Sequence, residues 1–240
     1  MWGENVTKVY PQKVVFEDAS WEFKGRLALL LAPNGSGKTT LLKLSLSLAK
    51  PQRGSAGTCV NRARELSFLM DFGNPPGWVR VENFLRYILG LRGMKFSREE
   101  ATTAIREVGL DASYMGRKLG SLSTGELKRV LIASTIVGNP EVVIIDEPFS
   151  GLDPHGRLLI SKLINEISRD RMVLVATHLV SLLEADEVYT IIDRKVQGPL
   201  PPLERPKTIA IYDLKAGVIK RLSIEEIINL DQPFVVLDSV

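Results

Sequence analysis

Leu27-Ala28-Leu29-Leu30-Leu31-Ala32-Pro33-Asn34-Gly35-Ser36-Gly37-Lys38-Thr39-Thr40-Leu41-Leu42-Lys43-Leu44 is the stretch on which the reading of this chain turns. From Leu27 to Leu31 it is apolar without alternation, between charged Arg26 and Pro33. That is the pattern of a strand buried on both faces of a sheet. From Lys38 the residues suit a helix, which must stop before Pro51. Glycines at 35 and 37 let the backbone curl so that successive N–H groups point inward at an anion, and a helix N-terminus adds positive potential. Strand, glycine-rich loop and helix in that order predict a phosphate cradle. Lys38 then reaches the β- and γ-phosphates, and the Thr39 hydroxyl ligates Mg²⁺. The usual pattern opens on glycine where this chain has Ala32, and alanine fits if its φ is negative.

Two further buried runs follow, Val142-Val143-Ile144-Ile145 and Met172-Val173-Leu174-Val175-Ala176. Between them, Leu159, Leu163 and Ile167 share one helical face in the stretch Leu158 to Arg169. Strand, helix and strand with short connections favour a parallel sheet. Upstream, Val14-Val15-Phe16 and Trp21-Glu22-Phe23 read as strands flanking polar Glu17-Asp18. From Val81 to Leu119 the texture is helical, with a capping box at Ser97-Arg98-Glu99-Glu100. After Gln197, Gly198-Pro199-Leu200-Pro201-Pro202 and Arg205-Pro206 form a stiff linker. Residues 207–240 hold two strand-like runs around Lys215-Ala216-Gly217, a short helix from Ser223, and an apolar end from Phe234 to Leu237. The expected division is a body of residues 1–200 with a helical subdomain at about 76–120, and a small extension at 201–240.

Asp146 and Glu147 close the run that starts at Val142. The carboxyl ends of strands are where open α/β sheets place ligand chemistry. Asp146 is expected to hold Mg²⁺ and Glu147 to polarise an attacking water as general base. Taken alone, the pair could equally cap the next turn. His178 follows the third run, where a neutral imidazole can bond a γ-phosphate or orient the water. Without the other motifs, a surface role is the commoner fate of such a histidine.

Composition removes several classes. With 240 residues, 45% hydrophobic and 25% charged, the chain is neither disordered nor of low complexity. The lone Cys59 cannot make an internal disulfide, and two histidines beside it argue against structural zinc. A net charge of +3 with no basic run leaves nucleic-acid binding unsupported. The N-terminus lacks an apolar signal core, and no apolar stretch nears the roughly 20 residues a spanning helix needs. A cytoplasmic protein is expected.

Beyond the phosphate loop and the Asp-Glu pair, Leu122-Ser123-Thr124-Gly125-Glu126 is similar to the Leu-Ser-Gly-Gly-Gln signature of ATP-binding-cassette (ABC) transporters. Ser150-Gly151-Leu152-Asp153-Pro154 resembles that family's D-loop, and His178 its H-loop. The resemblance runs from about Val6 to Gln197. It implies a P-loop NTPase fold of the α/β class, with a mostly parallel core, an N-terminal antiparallel β element, a helical insert and the small C-terminal extension. It implies ATP and Mg²⁺ as cofactors, held by Asn34, Gly35, Ser36, Gly37, Lys38, Thr39 and Thr40, with Tyr10 stacked on adenine. Ser123, Thr124, Gly125 and Glu126 then act on the ATP of a second cassette, in a head-to-tail homodimer or heterodimer. Integral membrane subunits are the implied partners, with this chain peripheral on the cytoplasmic face of the membrane. The segment Val81-Glu82-Asn83 and the Ser-Thr-Gly-Glu signature look closer to the exporter branch. An importer ATPase is the near alternative, and a non-transport ABC ATPase acting on ribosomes or DNA the distant one. One motif is missing: no glutamine occurs between Gln52 and Gln197, where the family's Q-loop residue belongs. Asp71 stands at the expected place and is a candidate Mg²⁺ ligand in its stead.

Overall fold

The computed structural model describes residues 1–60, 63–70, 75–178, 183–200, 209–213, 218–223, 226 and 234–236. The quoted apolar run is β3 (Leu27–Leu31), third from one edge of a six-stranded sheet. Across that sheet lie β5 (Leu66–Leu69), β6 (Val142–Asp146), β7 (Met172–Thr177), β3, β8 (Glu187–Ile192) and β9 (Lys195–Leu200). The first five are mutually parallel, and β9 returns antiparallel to β8. In register, Leu31 pairs with Thr177 and Asp146 with Ala176. The carboxyl ends of β3, β6 and β7 therefore finish at one level, and everything they carry shares one rim of the sheet.

The absence of alternation in these strands has a direct cause. Leu27, Leu29, Val143, Ile145, Val173 and Val175 belong to a core on one face, while Ala28, Leu30, Val142, Ile144, Leu174 and Ala176 belong to a second core on the other. The first core is covered by α2 (Val81–Leu91), α3 (Arg98–Glu107), α4 (Thr124–Ile136) and α5 (Pro154–Ile167). The second is covered by α1 (Lys38–Ser45) and by an antiparallel sheet of β2 (Lys13–Glu22), β1 (Trp2–Tyr10) and β4 (Arg53–Gly57). Two 3₁₀ turns, Ala112–Gly116 and Leu119–Ser121, complete the helical layer.

Some expectations need correcting. The two runs expected around Glu17-Asp18 are one strand, β2. Asp18 kinks it by adopting φ 49° and donating its N–H to Thr7 Oγ1 at 3.2 Å, so the polar pair is a bulge inside a continuous strand. Strands β4, β5, β8 and β9 carry no pattern that the sequence reading recognised. β10 (Ile209–Asp213), β11 (Val218–Leu222) and β12 (Phe234–Val236) form a third, antiparallel sheet, where the strand-like runs of the tail lie. No helix among the described residues is long and apolar enough to cross a membrane.

Candidate nucleotide site

Helix α1 begins without a side-chain cap, whereas Ser97, Ser123 and Asp153 cap α3, α4 and α5. Its first-turn N–H groups, like those of α2, take no bond from a side-chain cap and are available to an anion. Gly37 precedes it at φ 116°, and a Cβ there would lie 2.7 Å from Val15 Cγ1, so only glycine fits. Ala32 is absent from the positive-φ residues and is buried, so the departure from the glycine pattern costs no strain.

Lys38 is buried and ringed by oxygens. Its Nζ donates to Ala32 O at 2.8 Å, Pro33 O at 3.3 Å and Asn34 Oδ1 at 3.4 Å, and lies 3.0 Å from Glu147 Oε1. Glu147 is held from the other side as well. Thr177 Oγ1 donates to Oε2 at 3.2 Å, and His178 Nδ1 lies 3.0 Å from both carboxylate oxygens. Burial works to raise the Glu147 carboxyl pKa, but the bonds from His178 and Lys38 and the Lys38 charge outweigh it and lower it. Glu147 also adopts φ 49°, the left-handed region, pinned by its N–H to Ala176 O at 2.8 Å. Such strain costs a non-glycine residue on the order of 1 kcal/mol and persists only where the surroundings impose it.

Asp146 faces the phosphate loop. Its Oδ2 accepts from Thr39 Oγ1 at 2.5 Å, while Oδ1 is buried with no hydrogen-bond partner. Burial, aided by the charge of Glu147, raises its pKa against the Thr39 bond and the Lys38 charge. An orphaned carboxylate oxygen beside a threonine hydroxyl is a hard-oxygen pair that suits Mg²⁺. That ion usually takes one or two protein oxygens together with substrate phosphate and water. The pair fits Mg²⁺.

Tyr10, Asn34, Gly35, Gly37, Lys38, Thr39, Thr40, Asp146 and Glu147 line one cavity of about 310 Å³. Tyr10 also opens onto a neighbouring cavity of about 660 Å³, with Gly35, Ser36 and the Asp193-Arg194 turn. Ser36 Oγ is buried without a hydrogen-bond partner. Lys8 Nζ lies 4.9 Å from the Tyr10 ring centroid, a cation on one face of the ring. If Tyr10 stacks on a base, Tyr10→Ala weakens ATP binding about 10-fold and Tyr10→Trp retains it, since such stacking is worth about 1–3 kcal/mol. A binding isotherm unchanged in Tyr10→Ala removes Tyr10 from the site.

The signature residues lie elsewhere. Ser123 caps α4 and is exposed, and neither Ser123, Gly125 nor Glu126 lines the cavity around Lys38. A Cβ on Gly125 would lie 3.4 Å from Gly151 O, and one on Gly151 3.0 Å from Thr124 Cγ2, so the signature packs directly on the D-loop. Ser150, Gly151 and Leu152 run into Asp153, whose Oδ1 accepts from Gly156 N–H at 2.8 Å. Asp71 lies outside the described residues. Its described neighbours Met70 and Pro75 line a cavity of about 750 Å³ that also reaches Thr39, Thr124, Asp146, Glu147 and Ser150. Sequence reasoning missed Thr177 on Glu147, Lys8 on Tyr10, and Lys13, whose Nζ donates to Gly35 O at 2.6 Å. A threonine or lysine in a strand carries no signal of such a role.

A phosphate loop facing a strand-end Asp-Glu pair, in a parallel sheet with a helical insert, defines a P-loop NTPase. The chain belongs to the ABC transporter family, whose family model matches residues 16–150. It is 34% identical over 195 residues to a Nod factor export ATP-binding protein I of Burkholderia orbicola, covering 75% of this chain and 63% of that protein. It is 35% identical over 181 residues to a zinc import ATP-binding protein of Pseudomonas aeruginosa, covering 72% and 63%. The chain thus spans less than two thirds of either relative. A solved dimeric ATP-binding cassette in a post-hydrolysis state with ADP and Pi shares the fold, at TM-score 0.72 and 21% identity over 82% of this chain and 96% of that one. The family's cassettes are ATPases, and this chain is one.

Proposed function

We propose that this chain binds ATP with Mg²⁺, pairs head to tail with a second cassette, and drives transport through separate membrane subunits. The observation that carries the reading is the Lys38–Glu147–His178 cluster beside the Thr39–Asp146 pair on one rim of the sheet. An arriving triphosphate competes with Glu147 and three loop oxygens for Lys38. Once Lys38 turns to the phosphates, Glu147 Oε1 is released to accept a proton from water. Thr177 holds the other oxygen. His178 gives its Nδ1–H to Glu147, because an ionised carboxylate only accepts. A neutral ring then presents Nε2 as an acceptor, which supports orienting water over donating to the γ-phosphate. Mg²⁺ on Thr39 and Asp146 supplies charge neutralisation at the phosphate oxygens.

Ser123 is exposed and does not line the cavity around Lys38, and this supports a signature that serves a partner cassette. Trp78, Tyr87 and Leu91 are exposed at 76%, 62% and 62% on and before α2, an apolar surface suited to a membrane subunit. Affinity capture from detergent-solubilised membranes should recover an integral membrane protein; capture of RNA or DNA instead overturns the transport reading but not the ATPase. Export is the direction we favour, on the Val81-Glu82-Asn83 segment and the signature. Relatives are named for both directions, and substrate movement in reconstituted vesicles decides.

We place the catalytic body at residues 1–200 and treat 201–240 as an accessory extension, because every described residue that lines the cavities above lies within 1–200. Deleting residues 207–240 is expected to leave ATP affinity within about twofold while lowering stability or assembly. A folded truncation that no longer binds ATP refutes that boundary.

A further inference from the structure

Helix α4 opens with a complete capping box. Ser123 Oγ accepts from Glu126 N–H at 3.3 Å, and Glu126 Oε2 accepts from Ser123 N–H at 2.7 Å. The other carboxylate oxygen, Oε1, accepts from the Tyr114 hydroxyl. Arg117 Nη1 stands 4.0 Å from Oε1, and the Arg117 guanidinium carbon lies 3.9 Å from the Tyr114 ring centroid. Tyr114, Arg117 and Glu126 therefore close a triangle between a 3₁₀ turn and the first turn of the signature helix. The turn is itself anchored: Asp111 caps it by accepting from Ser113 N–H at 2.7 Å, and Met115 is buried beneath it. The Tyr114 bond first, and the Ser123 bonds after it, hold the Glu126 carboxyl down to about 2, so it is ionised under all working conditions.

An anion one turn from Ser123 has the wrong sign for the proposed task of Ser123, which is to meet a phosphate. Two like charges about 6 Å apart repel by roughly threefold in an equilibrium constant in bulk water and by roughly 10²-fold at the effective dielectric constant near a protein surface. We infer that Tyr114 and Arg117 are positioning residues of the signature, tying Glu126 back and offsetting its charge so that Ser123 can approach a phosphate of the partner's ATP. The inference rests on the head-to-tail reading above. Glu126 keeps its capping bond to Ser123 in either case; what Tyr114 and Arg117 add is control of where the charge points.

The test uses full-length chains in pairs. A Lys38→Ala chain donates only a signature, and a Ser123→Arg chain donates only a phosphate loop. Mixed, they should regain ATPase activity that neither shows alone. Tyr114→Phe on the signature-donating chain should then lower kcat about tenfold with KM for ATP within about twofold. The loss should follow the signature-donating chain only. Adding Glu126→Gln to that same chain should restore most of the rate, because the amide removes the charge and keeps the cap. A purely structural defect in Tyr114→Phe is not rescued by Glu126→Gln. No loss, a loss that ignores which chain carries the change, or no rescue overturns the inference. No gain on mixing, with mixed dimers shown by crosslinking, overturns the head-to-tail reading as well.

Discussion

Glu147→Gln is expected to lower ATP turnover by at least about 10²-fold, the scale of a lost general base, while ATP binding survives. The amide keeps the size of the side chain and can still accept from Thr177 or Lys38, so the local packing need not change. It loses the charge that holds Lys38 at 3.0 Å, and Lys38 is then freer to turn to the phosphates. ATP affinity should therefore be equal to wild type or tighter. In the head-to-tail reading the γ-phosphate joins the two cassettes and hydrolysis removes that link, so the variant should accumulate as a dimer on gel filtration with ATP and Mg²⁺, and return to monomer when ATP is removed. Near-normal turnover would move the base elsewhere and leave the Glu147 strain without a catalytic role.

Lys38→Ala should weaken ATP binding by at least about 10²-fold. Hydrogen bonds to charged groups are each worth about 1.5–3 kcal/mol, and the proposed role of Lys38 gives it contacts to two phosphates. Breaking its resting contacts offsets part of that gain, so about 3 kcal/mol is a fair net figure, or just over 10²-fold. The substitution also acts without nucleotide. Glu147 has a lowered folded pKa, so its interactions stabilise the fold above the ordinary carboxyl range and that contribution fades as pH falls through the folded pKa. Removing Lys38 should thus cost stability at pH 7, by less than about 1 kcal/mol after solvent screening, and the gap to wild type should close in acid. Urea midpoints at the two pH values measure this, and titration with a fluorescent ATP analogue measures binding. Retained affinity in Lys38→Ala would deny Lys38 a phosphate contact.

The phosphate loop, the Asp146-Glu147 pair and the existence of the buried central strands were legible because each has a periodicity or spacing with one physical cause. A run such as Val142 to Ile145, apolar at every position, is forced by burial on both faces of a sheet. Strand β4 was not legible: Arg53-Gly54-Ser55-Ala56-Gly57 has no apolar pattern, and its pairing with β1 is imposed by tertiary structure. Strand β9 contains Gly198 and Pro199 and reads as linker, yet it pairs on the sheet edge, where a proline is tolerated. Within the site, residue identities were readable and their liaisons were not. Nothing in the order of residues announces that Lys38 rests on Glu147 or that Tyr114 reaches Glu126, because those contacts join separate elements.

Residues 77–81 and 116–120 run alongside each other. Gly120 N–H donates to Gly77 O at 2.8 Å, Leu119 N–H to Val79 O at 2.9 Å and Val81 N–H to Arg117 O at 3.0 Å. Where they cross, a Cβ on Gly120 would lie 3.0 Å from Gly77 Cα. One segment follows the position of the absent Q-loop glutamine and leads into α2 beside exposed Trp78; the other leads into the signature. Bonded at three rungs and pressed backbone to backbone, the two behave as a yoke. A load placed on the outer surface near Trp78 is expected to carry the entrance of α4, and with it Ser123, along with that segment. Work can thus pass between the apolar surface and the phosphate-facing turn along a few ångströms of main chain, with no message routed through the sheet.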